Sequence, residues 1–251
     1  METYSIFAKL KSVPREYRDN PLWDVVVELA KSMPLYSEHK AYIRDVVLLE
    51  NPCISIGELS ALLRIPLGEA MVILSELRMW REDVEEEIMK ELPKPSYRRA
   101  AVGGTFNELH YGHFALIYTA LKNSEKVIIG VTGDEFVKIL DKKYSPKSFE
   151  ERVRNLKSML SSKGWLDRCE IVMLNDPYGP TIVEPDLDLL VVSPMTYSRA
   201  IEINDIRLKK GLKPLEVIVC PLVVAEDCKP ISSTRIVLGE IDLTGRIVKK
   251  S

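Results

Sequence analysis

Residues 100–117 read AAVGGTFNELHYGHFALI, and the rest of the chain is organised around this stretch. A short apolar run ends at Gly103 and Gly104, and an apolar helical pattern begins near His113. This order predicts a strand, a tight turn and a helix. The first turn of a helix presents free N–H groups and the positive end of the helix dipole, which favour an anion such as phosphate.

Two of the three histidines in the chain, His110 and His113, lie at the predicted start of this helix. Their ring nitrogens add side-chain hydrogen-bond donors. Gly112, between them, keeps a β-carbon away from a bound phosphate chain. The alternative is a strand–turn–helix unit whose glycines serve packing alone, because a glycine turn before a helix is a weak motif.

The composition indicates a soluble globular protein of one large or two ordinary domains. No apolar stretch approaches the ~20 residues that span a bilayer, and the N-terminus lacks the apolar region of a signal peptide. We therefore expect a cytoplasmic protein without a membrane segment. The four cysteines are widely spaced and are expected to be reduced thiols, with no metal site.

The segment Pro93-Lys94-Pro95-Ser96 predicts a domain boundary, because two prolines stop the preceding helix and stiffen the chain. Residues 1–95 carry 12 basic and 17 acidic residues, a net charge of −5, whereas residues 96–251 carry +3. The first part reads as helical, with helices predicted over 21–31, 39–50, 55–63 and 66–80. Ser55 and Glu58 have the spacing of a capping box.

The last two of these helices are separated by a tight turn, which is typical of a helix-turn-helix. Binding of DNA would need basic side chains on the second helix. That helix offers Glu69 and Glu76, with Arg78 and Arg81 only at its end. We therefore expect no nucleic-acid partner, and the alternatives for residues 1–95 are homo-oligomer formation, another protein contact or packing alone.

Residues 96–251 alternate short apolar runs with helical patterns. Strands are predicted over 99–102, 126–132, 169–174, 187–193 and 217–221, with helices over 113–122, 133–140, 149–160 and 198–210. This alternation predicts a five-stranded parallel, doubly wound (Rossmann-like) sheet covered on both faces. Ligands of such sheets lie beyond the carboxyl ends of the strands, which is where the opening motif is predicted.

A second phosphate-binding pattern is ISSTRI at residues 231–236. Ser232, Ser233 and Thr234 offer hydroxyls at a predicted helix start, and Arg235 offers a guanidinium that suits phosphate oxygens. The alternative is simple capping of the helix by Ser232 or Ser233.

Together the two patterns resemble the motifs GTFDxxHxGH and ISSTxIR of the nucleotidyltransferase superfamily. The segment from 98 to 239 also contains GVTGDEFVKILDKKYSPKSFEERVRNL, NDPYGPT and DLDLLVVSPMTYSRAIEINDIRLKKGLKPLEV. In that order these segments resemble the phosphopantetheine adenylyltransferases of archaeal and eukaryotic type, from coenzyme A biosynthesis. The chain departs from the motifs at Asn107, where an acid is usual, and at Val237, where an arginine is usual.

The resemblance implies transfer of the adenylyl group of ATP, accompanied by Mg²⁺, to 4′-phosphopantetheine, giving dephospho-CoA and pyrophosphate. It implies catalytic roles for His113, His110 and Lys143. Lys142, Lys143 and Arg207 would bind the acceptor substrate, and Arg199 is a further candidate for phosphate. The residues implied in nucleotide binding are Gly103, Thr105, Phe106, His110, Gly112, His113, Ser232, Ser233, Thr234 and Arg235.

Two alternatives stay open at this point. One is another cytidylyl- or adenylyltransferase of the same superfamily, because phosphate motifs read neither the base nor the acceptor. The other is a nucleotide-responsive DNA-binding regulator with a degenerate enzyme domain.

Overall fold

The computed structural model describes residues 9–140 and 144–248, and it divides into two compact units. The first unit contains the chain up to Met79 together with Cys228–Pro230, and the second contains Trp80–Asp227 and the chain from Ile231 onward.

The first unit is helical, as the sequence predicts. Its core is formed by fully buried aliphatic residues such as Ile43, Leu48, Ile56 and Ile73. The elements are α1 (Arg15–Arg18), α2 (Leu22–Lys31), α3 (Tyr36–Tyr42), a π-helical turn (Ile43–Val47) with a last turn (Leu48–Glu50), α4 (Ile56–Leu63) and α5 (Leu67–Leu77).

The predicted capping box begins α4. Ser55 Oγ accepts from the Glu58 N–H at 3.2 Å, and Glu58 Oε2 accepts from the Ser55 N–H at 2.8 Å. The latter bond lowers the pKa of Glu58. Arg64 adopts a left-handed conformation (φ 56°) that ends α4. The chain then turns through Ile65 and Pro66 into α5, so α4 and α5 are consecutive helices joined by a tight turn.

The predicted helix over 66–80 ends earlier than expected, because Arg78–Trp80 is extended (β1). Arg78 is buried and donates to the carbonyls of Pro52 and Ile54 at 2.8 and 2.9 Å and to that of Lys11. Burial lowers the pKa of Arg78 to about 10. Its guanidinium therefore binds backbone of the first unit.

The four cysteines do not all remain thiols, contrary to the expectation from the sequence. Cys53 and Cys228 form a disulfide, with Cα atoms 5.3 Å apart. They are distant in sequence but both belong to the first unit, because the short segment Cys228–Pro230 folds with it. Cys169 and Cys220 are free.

The second unit contains the predicted α/β fold. Its elements are α6 (Arg81–Met89), β2 (Tyr97–Gly104), α7 (Tyr111–Asn123), β3 (Ser124–Thr132), α8 (Asp134–Ile139), α9 (Phe149–Ser162), β4 (Cys169–Leu174), β5 (Leu189–Val192), α10 (Tyr197–Lys209), β6 (Glu216–Val219), β7 (Leu222–Val224) and α11 (Ser233–Val237).

Five of these strands form one parallel sheet in the order β4-β3-β2-β5-β6. Ala200 and Ile203 of α10 share a buried cluster with Ala101, Ile128 and Leu190 of the sheet. The residues that alternate with these in β2 and β3 point to the opposite face and are buried as well, so both faces are covered. The helix α7 packs on β2, β3 and β5. The sheet is doubly wound, as predicted.

The strand order reverses between β2 and β5. The chain moves from β2 through β3 to β4 on one side, and then from β5 to β6 on the other. In open parallel sheets, ligands bind outside the carboxyl ends of the strands at such a reversal. Gly104, the last residue of β2, lies at this point.

The units divide at Met79 and Trp80, upstream of the boundary that the sequence places at residues 95 and 96. Between these points lies α6, which packs on α7. Glu85 accepts from the Tyr111 hydroxyl, and Lys122 pairs with Glu87 at 3.0 Å. These contacts assign the acidic helix α6 to the second unit, although its helical pattern resembles that of the first. In the described residues, no helix has the length and apolar character needed to cross a membrane.

Candidate active site

The turn after β2 is built around Phe106. Phe106 is completely buried and has a left-handed backbone conformation (φ 52°). A β-carbon on Gly104 would lie 3.1 Å from the Phe106 ring, so the ring would have to shift by a few tenths of an ångström. A β-carbon on Gly103 would meet only an ordinary contact, 3.6 Å from Leu174. A side chain at position 104 would therefore press on the Phe106 ring, whereas one at position 103 would make only an ordinary contact.

His110 begins α7 as its N-cap residue. Its Nδ1 accepts from the Gly112 N–H at 3.1 Å, so the proton of the neutral ring is on Nε2. Burial lowers the pKa of His110 well below the ordinary value, and His113 adds to the effect. The ring is therefore a neutral hydrogen-bond donor through Nε2 at neutral pH.

His113 lies in the first turn of α7, where its ring stacks on that of His110 and makes a tilted contact with that of Phe106. Its ring centroid is 3.9 Å from that of His110 and 4.9 Å from that of Phe106. Gly112 makes this stack possible, because a β-carbon there would lie 3.0 Å from Cε1 and Nδ1 of His110. The structure thus supplies a reason for Gly112 within the protein, besides the predicted room for a phosphate chain.

The two predicted phosphate-binding segments lie side by side. Ser233 Oγ donates to the Glu108 carbonyl at 3.2 Å and accepts from the Glu108 N–H at 3.4 Å. Ser232 caps α11 by accepting from the Arg235 N–H. Thr234 lies in the first turn of this short helix. Hydroxyls of one segment and imidazoles of the other therefore lie at the same edge of the sheet.

Arg235 binds the protein's own carboxylates. Its Nη2 is 2.6 Å from Asp227 Oδ2, and its Nε is 3.0 Å from Glu240 Oε2. Two of the guanidinium nitrogens therefore already bind carboxylates of the protein. Val237, at the position of the usual motif arginine, is exposed and has no cationic group.

Arg207, which the sequence predicts to bind the acceptor, makes hydrogen bonds within the protein. It is completely buried in α10, and it donates to the carbonyls of Lys213 at 2.7 Å, Thr181 at 2.6 Å and Glu184 at 3.0 Å. Burial lowers its pKa. The Nε and Nη1 groups therefore join α10 to neighbouring backbone, and the predicted contact with substrate phosphate stays a prediction. Arg199 is exposed and pairs with Glu202 at 2.6 Å.

Lys142 and Lys143 lie outside the described residues, so their predicted roles stay predictions. The residues that follow are described. Burial raises the pKa of Tyr144, while a hydrogen bond with Ser233 lowers it. Lys147 pairs with Glu108 at 2.8 Å. This segment therefore adjoins both phosphate-binding patterns.

Two buried polar residues belong to this site: Asn107, which the sequence marked only as a departure from the motif, and Arg152, which sequence reasoning missed. Asn107 is buried, and its Oδ1 accepts from the Lys147 N–H at 2.7 Å. The aspartate of the usual motif could accept the same bond. Arg152 is completely buried, and its Nη1 donates to the Thr105 carbonyl at 2.8 Å. The available signal was its spacing: Arg152 precedes the buried Leu156 by four residues, which places both on the same face of α9.

The described residues contain no group of three or more His, Cys, Asp or Glu side chains that could hold a metal ion. The site instead offers hydroxyls, a neutral imidazole donor and the N-terminal end of α7. Such groups stabilise negative charge on phosphate oxygens, and they include no buried Ser-His-Asp arrangement for nucleophilic attack.

A parallel doubly wound sheet with this site defines the class of protein: the chain belongs to the cytidylyltransferase-like family, whose model matches residues 101–238. More particularly, it is similar to archaeal phosphopantetheine adenylyltransferases. That of Methanosarcina mazei is 48% identical over 156 residues, 61% of this chain and 99% of that protein. That of Methanopyrus kandleri is 45% identical over 150 residues, 60% of this chain and 94% of that protein.

Among solved structures, a protein of unknown function from Archaeoglobus fulgidus has 35% sequence identity to this chain and a TM-score of 0.44. The match covers 49% of this chain and 87% of that one.

Proposed function

We propose that the chain transfers the adenylyl group of ATP to 4′-phosphopantetheine, giving dephospho-CoA and pyrophosphate, a step of coenzyme A biosynthesis. The observation that carries this proposal is the hydrogen-bonded pairing of Ser233 with Glu108, which brings the two phosphate-binding segments together. The matched relatives, of which this chain covers nearly the whole length, carry the name of this activity.

In the proposed reaction, an oxygen of the acceptor phosphate attacks the α-phosphorus of ATP. The bond from the α-phosphorus to the pyrophosphate oxygen breaks, and no side-chain nucleophile takes part. Catalysis then depends on positioning and on stabilising charge. A site of imidazoles, hydroxyls and a helix N-terminus supports this chemistry.

The roles of individual residues are part of the proposal. His113 would stabilise charge on the α-phosphate, and His110 and Thr105 would orient the phosphates. The hydroxyls of Ser232, Ser233 and Thr234 would bind the β- and γ-phosphates. The acceptor phosphate would be held by Lys142 or Lys143. Mg²⁺ would arrive bound to ATP, because it prefers phosphate oxygens and water.

The test is an assay of pyrophosphate release with ATP or CTP and a panel of phosphate acceptors. We expect turnover with ATP and 4′-phosphopantetheine, and a strong loss in His113→Ala with the fold retained. His39→Gln is the matched control, because His39 lies in the first unit, where its Nδ1 is 2.7 Å from Glu69. Undiminished transfer by folded His113→Ala would refute the role of His113.

The same panel separates the sister activities of the family. Turnover with CTP, or with a mononucleotide acceptor instead of 4′-phosphopantetheine, would show that the substrates differ from those proposed. The proposed substrates are small charged metabolites, and we place the activity in the cytoplasm.

A DNA-binding regulator is disfavoured by the side chains around α5. Glu69 is buried against His39, and Glu76 binds Lys40 at 2.6 Å. Arg78 is buried on backbone, and Arg81 pairs with Glu82 at 2.8 Å. We expect no retardation of DNA in a gel-shift experiment at low salt, and clear retardation would favour the regulator.

For the first unit we propose a role in homo-oligomer formation. Leu22, Val25 and Leu29 recur at helical spacing on α2 and are 69, 50 and 65% exposed. An exposed apolar stripe of this kind is typical of a protein contact. Light scattering coupled to gel filtration would test this, with Leu29→Lys expected to shift an oligomer toward monomer.

A further inference from the structure

Arg152 is a completely buried arginine that no predicted function uses. It lies in α9, and all three groups of its guanidinium have partners. Nη1 donates to the Thr105 carbonyl at 2.8 Å, Nε to the Lys147 carbonyl at 2.9 Å, and Nη2 to Asp134 Oδ1 at 2.7 Å. Removing a partner of such a buried charge leaves the charge uncompensated, which strongly destabilises the folded protein.

The partners of Arg152 belong to three separate segments. Thr105 belongs to the turn after β2, which carries the first phosphate-binding pattern. Lys147 belongs to the segment that leads into α9. Asp134 begins α8, after β3. One side chain therefore holds together segments that follow two neighbouring strands of the sheet.

The peptide groups around Lys147 are held from two sides. The N–H of Lys147 donates to Asn107 Oδ1 at 2.7 Å, and its carbonyl accepts from Arg152 Nε at 2.9 Å. Asn107 and Thr105 are parts of the same turn. The turn and the Lys147 segment are therefore joined by Asn107 directly and by Arg152 through its two carbonyl contacts.

Asp134 balances the charge of Arg152. Burial favours the neutral carboxyl, but hydrogen bonds from the Phe149 N–H, at 3.1 Å, and from Arg152 outweigh it and lower the pKa of Asp134. The carboxylate is thus ionised at neutral pH, and the pair is complete.

The turn held by Arg152 also packs on the catalytic imidazole. Phe106 directly follows Thr105, and its ring lies 4.9 Å from that of His113. A displacement of the Thr105 carbonyl therefore also displaces the Phe106 ring, on which the His113 ring packs. Near a reacting centre, a shift of about 1 Å can cost about 100-fold in rate.

We propose that Arg152 is a positioning residue for the transfer reaction: it sets the Thr105–Asn107 turn, and through Phe106 the His113 ring, in the geometry for turnover. Arg152 is buried, and all three nitrogens of its guanidinium bind groups of the protein. This inference rests on the proposed function of the site.

The experiment compares Arg152→Lys and Arg152→Met with Arg154→Lys, an exposed position of the same helix. Lysine retains the charge beside Asp134 but cannot reach three partners at once. We expect kcat to fall at least tenfold in Arg152→Lys and further in Arg152→Met, while the KM for ATP changes less than threefold. Arg154→Lys should match the wild type.

Rates are compared per folded molecule, below the thermal transition of each variant, so that partial unfolding does not imitate a loss of kcat. Wild-type kcat in folded Arg152→Lys would overturn the inference, as would a loss confined to the KM for ATP. A wild type without adenylyl transfer to any acceptor would overturn the proposed function, and the inference with it.

A double-mutant cycle with Asn107 provides a second test, which also applies if Arg152→Met does not fold. Asn107→Asp keeps the acceptor for the Lys147 N–H and should retain turnover, whereas Asn107→Leu should lose it. Because both residues hold the backbone of Lys147, one at its N–H and one at its carbonyl, the loss in Arg152→Lys with Asn107→Leu should be smaller than the product of the single losses. Losses that multiply independently would overturn the shared positioning role.

Discussion

Substitution of Gly112 by alanine should separate the stability of the second unit from its activity. The added β-carbon would lie 3.0 Å from Cε1 and Nδ1 of His110, so the ring must move by a few tenths of an ångström. The His110 ring is buried and stacked at 3.9 Å on that of His113. A displaced ring therefore disturbs both imidazoles at once.

The expected change in stability is small because two effects oppose each other. Alanine is favoured over glycine within a helix by about 1 kcal/mol. Weakening of the bond from the Gly112 N–H to His110 Nδ1 costs about 1 kcal/mol. The free energy of unfolding should therefore change by less than about 1 kcal/mol. Turnover should fall at least about tenfold, because reacting groups tolerate little displacement.

Gly68→Ala is the matched control, since Gly68 and Gly112 are both the second residue of their helices. A β-carbon on Gly68 would lie 3.9 Å from Val26 Cγ1, an ordinary contact. This variant should be stabilised by up to about 1 kcal/mol and keep wild-type turnover. The assays are pyrophosphate release and chemical denaturation. Wild-type turnover in Gly112→Ala would refute the reasoning.

Three further outcomes are expected. Ser55→Ala removes the capping box of α4 and should lower the free energy of unfolding by about 1 kcal/mol in urea denaturation, whereas Ser55→Thr should not. The pKa of His110 is lowered in the folded protein, so the unfolded chain binds more protons below the ordinary imidazole pKa of 6.5. The free energy of unfolding should therefore fall as the pH drops through that value. His110→Gln should flatten this pH profile. Arg207→Met leaves three carbonyls without their donor, of which that of Thr181 is buried. It should cost about 3 kcal/mol of stability and leave turnover per folded molecule unchanged. A raised KM for the acceptor at unaltered stability would instead support the predicted contact with phosphate.

The strands of the sheet could be predicted because they are local patterns. Parallel strands are buried on both faces, so each reads as a short apolar run. The run Cys169–Leu174 has the predicted bounds, and the other four overlap their predictions. The caps by Ser55 and Ser232 were also readable, because a helix start depends on residues only three apart.

The π-helical turn Ile43–Val47 was not predicted, because its sequence continues an ordinary helical pattern. The place of α6 in the second unit was also not readable, because it depends on contacts with α7 rather than on its own pattern. The pairing of Cys53 with Cys228 is a similar case, since residues far apart in sequence have no local signal.

The sequence by itself determined the class of fold, the edge of the sheet that carries the candidate site, and the histidines and hydroxyls that lie together there. These depend on residue type and spacing. Only the tertiary structure decided what the arginines do: Arg152 and Arg207 are buried on carbonyls, and Arg235 is paired with two carboxylates. A guanidinium can bind phosphate, carboxylate or backbone equally well by its chemistry, so the choice depends on which acceptors the folded chain places around it.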